Sequence, residues 1–77
     1  MTTWNKTTEE KYWEMLEVLP PAIMTGNGFL VGEPLDHNSA GQPRYEAFVE
    51  KGGEFYVAAE AMTVADFRKV SPSEVAA

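Results

Sequence analysis

The sequence predicts an α+β fold: a three-stranded antiparallel meander with an N-terminal helix packed on one face and a short C-terminal helix, in the order α-β-β-β-α. Three observations carry this expectation. Residues 8–18 place apolar side chains at helical spacing, residues 44–59 alternate apolar and polar side chains around a glycine pair, and residues 63–70 offer a second capped helical stretch. Seventy-seven residues suffice for one small domain, which buries about 60–65% of the surface its unfolded chain exposes. The whole chain, 1–77, is therefore read as a single domain, with 1–6 and 71–77 expected to be loosely ordered.

Taken in order, Thr7-Thr8-Glu9-Glu10 reads as a helix start, with Thr7 as N-cap and Glu10 as its capping-box partner. The helix is expected from Thr8 to Val18. Tyr12, Met15, Leu16 and Leu19 share one face, Trp13 widens it, and Glu10, Glu14 and Glu17 lie mostly away from it. Pro20 forces Leu19 out of the helical region, and Pro21 removes a second donor, so the helix must stop there. Ala22 to Met24 then follow a stiff extended path to a Thr25-Gly26-Asn27-Gly28 turn.

Three strands are expected next: Phe29 to Glu33, Arg44 to Glu50, and Glu54 to Ala59. Lys51-Gly52-Gly53 makes the tight turn between the last two, because glycine tolerates positive φ. The segment Pro34 to Pro43 is polar, bounded by prolines and too long for a tight turn, which makes it the largest candidate functional loop. Thr63 to Asp66 starts the second helix, Phe67 and Val70 anchor it, and Ser71-Pro72 ends it.

The composition bounds the compartment and the chemistry. There is no cysteine, hence no disulfide and no thiolate, which favours a reducing, cytoplasmic setting. The N-terminal stretch MTTWNKTTEEKYW lacks the pattern of a signal peptide, and no run of apolar residues is long enough to span a membrane. The Asn5-Lys6-Thr7 sequon is accordingly not expected to be used. Twelve acids against six bases give a net charge of −6, which repels phosphate and anionic lipid, so neither direct nucleic-acid binding nor membrane binding is expected.

Catalytic signatures are weak. His37 is the only histidine; beside Asp36 it suggests a general base or a metal ligand, but metal sites ordinarily need three or four ligands. Ser39, Ser71 and Ser73 fit no nucleophile elbow. The glycine pairs lack the ending of a phosphate loop. No catalytic, cofactor or metal residue is assigned, and no cofactor is expected.

The aromatic residues point elsewhere. Strand alternation is read as placing Phe48 and Tyr56 opposite Tyr45 and Phe55, on a sheet face that one helix leaves uncovered. Tyrosine and tryptophan are frequent interface anchors. The candidate partner-binding residues are therefore Glu46, Phe48, Glu50, Glu54 and Tyr56 on that face, with Asp36 and His37 in the loop.

At "YWEMLEVLPPAIMTGNGFLVGE" and "YEAF…GGEFYVAAEAMTVADF" the chain resembles a family of small uncharacterised proteins, a domain of unknown function, encoded by bacteria, phages and plasmids. The "MLEVLPP" motif is the most specific part, and the resemblance spans roughly residues 12 to 67. It implies a genomic context and no mechanism. Small acidic proteins of mobile elements often inhibit host defence, anti-CRISPR proteins among them. The function expected is therefore a non-enzymatic protein-binding module, an inhibitor of a host protein or protein–nucleic-acid complex with a basic surface, acting by occlusion. The alternative is a structural accessory domain that self-associates as a homodimer. A small-ligand binder or enzyme using Asp36 and His37 ranks below both.

Overall fold

The computed structural model describes residues 2–75. In chain order the elements are β1 (Trp4–Thr7), α1 (Glu9–Val18), β2 (Ile23–Met24), β3 (Gly28–Leu30), β4 (Asp36–His37), β5 (Pro43–Arg44), β6 (Ala47–Lys51), β7 (Glu54–Ala58) and α2 (Val64–Arg68). A single 3₁₀ turn (Pro72–Glu74) follows. The protein is α+β, but the three-stranded meander is wrong. Five strands form one antiparallel sheet in the order β1-β7-β6-β3-β2, and β4 pairs with β5 as a separate two-stranded ribbon.

The difference arises at three places. Trp4–Lys6, expected to be loose, and Thr7, expected to be the N-cap, pair along β7 from Trp4 opposite Ala58 to Thr7 opposite Phe55. Ile23–Met24, expected only as an extended path, pairs with Leu30 and Phe29 at the other edge. Arg44 to Glu50 is not one strand: Arg44 belongs to the ribbon, Tyr45 exchanges backbone bonds of 2.8 and 2.9 Å with Met62, and the Glu46 carbonyl accepts from Val31. The apolar alternation continues through this break while the hydrogen-bonding partner changes twice.

The expected bare sheet face is also absent. Phe29, Val31 and Phe48 are buried under Tyr12 of α1, with Met15, Leu16, Leu19, Phe55 and Val57 around them. Leu30, Ala47, Val49, Tyr56 and Ala58 are buried on the opposite face, beneath Met62, Phe67 and Val75. The sheet is thus the middle of three layers. Alternate residues of β3 and β6 enter different cores.

The helix begins one residue later than the capping-box reading predicts. Thr7 is engaged as the last residue of β1, so Thr8 is the N-cap: its φ and ψ are −98° and 155°, and its Oγ1 accepts from the Lys11 amide at 3.1 Å. Glu9 and Glu10 complement the positive end of the helix. At the other end Leu19 is extended, at φ −141° and ψ 145°, as the prolines require. Tyr12 is the one buried residue of the helix and meets Phe29, Phe48 and Phe55 with ring centroids 5.1, 6.3 and 4.9 Å away. Burial, with the charge of Glu50 adding to it, raises the Tyr12 phenol above its ordinary pKa.

The second cover is held by local caps. Thr63 Oγ1 accepts from the Asp66 amide at 3.1 Å, and α2 ends sooner than Val70, through bonds from Lys69 to Asp66 and from Val70 to Phe67. The segment after it, expected to be loose, is ordered as far as Val75, whose side chain is fully buried and whose carbonyl accepts from Lys51 Nζ at 2.9 Å. Residues 1, 76 and 77 lie outside the described residues.

Two glycines fix the sheet and its corner by what they lack. A Cβ at Gly28 would overlap the Phe48 carbonyl of the adjacent strand, and one at Gly32 would overlap the Pro20 carbonyl. Gly26, in the same turn as Gly28, faces open space and has no positive φ. Overpacking against a backbone that cannot move costs about 1–3 kcal/mol. Gly28→Ala is expected to lose stability in that range by denaturant unfolding, whereas Gly26→Ala should stay within about 0.5 kcal/mol of the wild type. Equal effects of the two would refute the close β3–β6 approach.

Candidate functional site

The hairpin β6–β7 turns through Gly52 and Gly53, with φ of 59° and 81°, so Lys51 faces Glu54 across a two-residue loop. That register decides which side chains share a face. Phe48 lies opposite Val57, Glu50 opposite Phe55, and Val49 opposite Tyr56. Phe48 and Tyr56 therefore point to opposite sides of the sheet, and each is core: Phe48 is 1% exposed and Tyr56 9%. They form no common anchor. The expected grouping assigned faces within each strand and did not carry the two-residue turn across the hairpin.

The three acids separate in the same way. Glu50 shares its face with Phe48, and its Oε2 accepts from the Gly53 amide at 2.8 Å, which ties it to the turn. Glu54 shares its face with Tyr56 and forms an ion pair with Lys6 of β1. This contact raises the Lys6 pKa, first through its hydrogen bond and then through charge. Glu46 sits half-buried at the break before β6. No single acidic strand face joins Glu46, Glu50 and Glu54.

The loop from Pro34 to Pro43 is a built ribbon. Asn38 organises its tip, with Oδ1 accepting from the Ala40 and Gln42 amides at 3.0 and 2.9 Å and Nδ2 donating to Gln42 Oε1 at 3.0 Å. Gly41 supplies the positive φ of 82°. Asp36 lies directly opposite Arg44 and accepts both ends of its guanidinium, from Nε at 2.6 Å and from an Nη at 2.7 Å. His37 is the next residue on the strand and so projects from the other face of the ribbon, exposed. Asp36 and His37 are neighbours in sequence without forming a dyad. Among the described residues no group of three or more histidine, aspartate or glutamate side chains is placed to hold a metal ion.

A cleft of about 520 Å³ opens beside α2, with Arg44 and Lys69 set among Glu60, Asp66 and Glu74. Its charges have both signs, and His37 does not line it. Arg44 is already engaged by Asp36.

The outer side of α1 presents a different surface. Glu9, Glu10, Glu14 and Glu17 are all exposed, four of the chain's twelve acids within one short helix. Trp13 stands among them, 48% exposed, one turn after Glu9 and one turn before Glu17. Its ring meets Tyr12 edge-on at 5.2 Å, and its Nε1 lies 3.4 Å from Glu9 Oε2. Trp13 was expected to widen the buried stripe; instead it stands at its solvent margin. Its position beside Tyr12, on the flank of the helical wheel, was the available signal. No helix among the described residues is long and apolar enough to cross a membrane. Comparisons with protein-family models, with curated proteins and with solved structures return no match.

The ribbon yields a titration test. The Arg44 hydrogen bonds hold the Asp36 carboxyl below its ordinary pKa of 3.8; desolvation opposes them, and the charges of Arg44 and His37 add to the lowering. A lowered folded value means that the ion pair stabilises fully above 3.8 and loses its contribution as pH falls from there through the folded pKa. An NMR titration of Asp36 should give a midpoint below 3.8, and Arg44→Met should return it toward 3.8. An identical midpoint in both proteins would show that the pair does not persist in solution.

Proposed function

We propose that this chain is a non-enzymatic protein-binding module that occludes a basic surface on its partner, and that it docks through the outer side of α1. The observation that supports this is Trp13, an indole 48% exposed within a helix whose other solvent-facing positions include Glu9, Glu10, Glu14 and Glu17. Tryptophan is the residue type most often found as an interface anchor, and a surrounding ring of carboxylates favours lysine- and arginine-rich partners while steering their approach. The net charge of −6 acts in the same direction over longer range.

Within this reading the partner class is a groove that otherwise holds nucleic acid, as in a CRISPR effector or another nucleic-acid-targeting complex of a host. The chain would compete there as a compact polyanion with an apolar tooth. The acids number too few for mimicry of a long duplex, so the contact is a local plug.

Affinity capture with mass spectrometry is the test, run in parallel with Trp13→Ala and with Glu10→Gln/Glu14→Gln/Glu17→Gln. Trp13→Ala is expected to weaken the specific partner by roughly 30-fold, the scale of a hot spot. The triple variant should slow association and flatten its salt dependence. DNA or RNA added to the capture should release the partner. A partner held equally by both variants would refute docking through α1, and one indifferent to added nucleic acid would refute the groove.

A further inference from the structure

The turn between β2 and β3 carries Asn27-Gly28, and of the three asparagines in the chain only Asn27 precedes a glycine. A backbone amide can attack the side-chain amide of a preceding asparagine, most readily when the attacking residue is glycine, because no Cβ hinders the approach. Packing imposes the glycine here, since a Cβ at position 28 would overlap the Phe48 carbonyl. Asn27 itself is exposed. Asn38, by contrast, precedes Ser39 and has its side-chain oxygen held by two amides of the ribbon tip, and Asn5 precedes Lys6 within β1. The close approach of β3 to β6 thus leaves a chemically labile dipeptide at the surface.

We propose that Asn27 is a site of spontaneous deamidation whose rate in the folded chain is set by the Thr25 hydroxyl. The Gly28 nitrogen, having given its proton to solvent base, bonds to Asn27 Cγ. The Cγ–Nδ2 bond breaks, and that nitrogen leaves as ammonia with a proton taken from water. Water then opens the resulting succinimide at one of its two carbonyls, giving aspartate or isoaspartate. Water is the only co-reactant, and nothing is oxidised or reduced.

The folded turn holds back the first step. Thr25 Oγ1 accepts from the Gly28 amide at 3.2 Å and from the Asn27 amide at 3.3 Å, so the nitrogen that must attack has its proton engaged. The peptide between the two residues is pinned as well: the Asn27 carbonyl accepts from the Glu50 amide of β6, and the Gly28 carbonyl from the Thr25 amide, both at 2.8 Å. Ring closure needs that nitrogen free of its proton and that peptide free to turn onto Cγ. The bonds to the hydroxyl lie at the long end of the ordinary range, so a local opening of the turn, short of global unfolding, releases the nitrogen. Conversion adds a carboxylate, and the isoaspartate route also inserts a methylene into the chain beside the carbonyl that β6 grips. The fraction converted records how long the turn has spent open.

The test incubates the full chain at neutral pH, in buffer and in urea, and follows Asn27 by peptide mapping with mass spectrometry and isoaspartate detection. Conversion of the wild type is expected at Asn27 ahead of Asn5 and Asn38, and at least about tenfold more slowly in buffer than in urea. Thr25→Val keeps the shape and removes the hydroxyl; it should speed conversion in buffer roughly fivefold, the scale of one net hydrogen bond, and leave the rate in urea unchanged. Thr25→Ser keeps the hydroxyl and should convert as slowly as the wild type. Thr63→Ala, which weakens the fold at the distant α2 cap, should not speed conversion. If Thr25→Val does not fold, the wild type decides: amide exchange at Gly28 and conversion at Asn27 should rise together through urea concentrations below the unfolding transition. Equal wild-type rates in buffer and urea, or a folded Thr25→Val that converts no faster, would overturn the proposal. So would a Thr63→Ala rate that matches Thr25→Val, which would assign control to global unfolding.

Discussion

The two central strands impose the constraint on which the rest of the structure depends. β3 and β6 carry apolar residues on both sides, so Phe29 and Phe48 need one cover while Leu30 and Val49 need another. Each such side chain contributes about 1.5–3 kcal/mol only when fully withdrawn from water. A chain this short has few residues to supply two covers, and it uses nearly all of them. α1 closes one side with Tyr12 at the centre of a ring cluster, and the C-terminal segment closes the other as far as Val75. The polar bond from Lys51 to Val75 joins that last cover to the sheet. Order near the chain's end follows from what the middle of the chain must bury.

The same constraint decides where function can reside. With both sheet faces occupied, no broad strand surface remains for a partner among the described residues, and the acids of β6 and β7 are divided by the hairpin register. Glu50 and Glu54 are used locally, on a turn amide and on Lys6. What remains outward is the far side of α1, the ribbon and the strand edges. Of these, α1 concentrates both charge and an exposed aromatic ring.

Much of the fold is legible in the sequence where a local rule acts alone. The end of α1 at Val18, the extended Leu19, the glycine turn and the Thr63 cap all follow from capping, proline and glycine chemistry within a few residues. Features set by distant partners are less legible. β1 has no alternating apolar pattern because an edge strand buries little, and the change of partner at Tyr45 leaves the alternation undisturbed. Two signals were nonetheless present. Unbroken apolar runs at Phe29-Leu30-Val31 and Ala47-Phe48-Val49 indicate strands buried on both sides. A two-residue turn also places even-numbered residues of β6 beside odd-numbered residues of β7, which separates Phe48 from Tyr56 before any coordinates are known.

The close fit of Gly32 against the Pro20 carbonyl makes two separated parts of the chain a single steric unit. The double proline shapes the exit from the helix, and the glycine leaves the space that this exit occupies. A side chain at position 32 would meet the backbone carbonyl of residue 20, so the glycine is tied to this path out of the helix. Kinship is then better sought by requiring the proline pair and the later glycine jointly than by the "MLEVLPP" string alone. A chain that carried a side chain at position 32 would have to rebuild this corner.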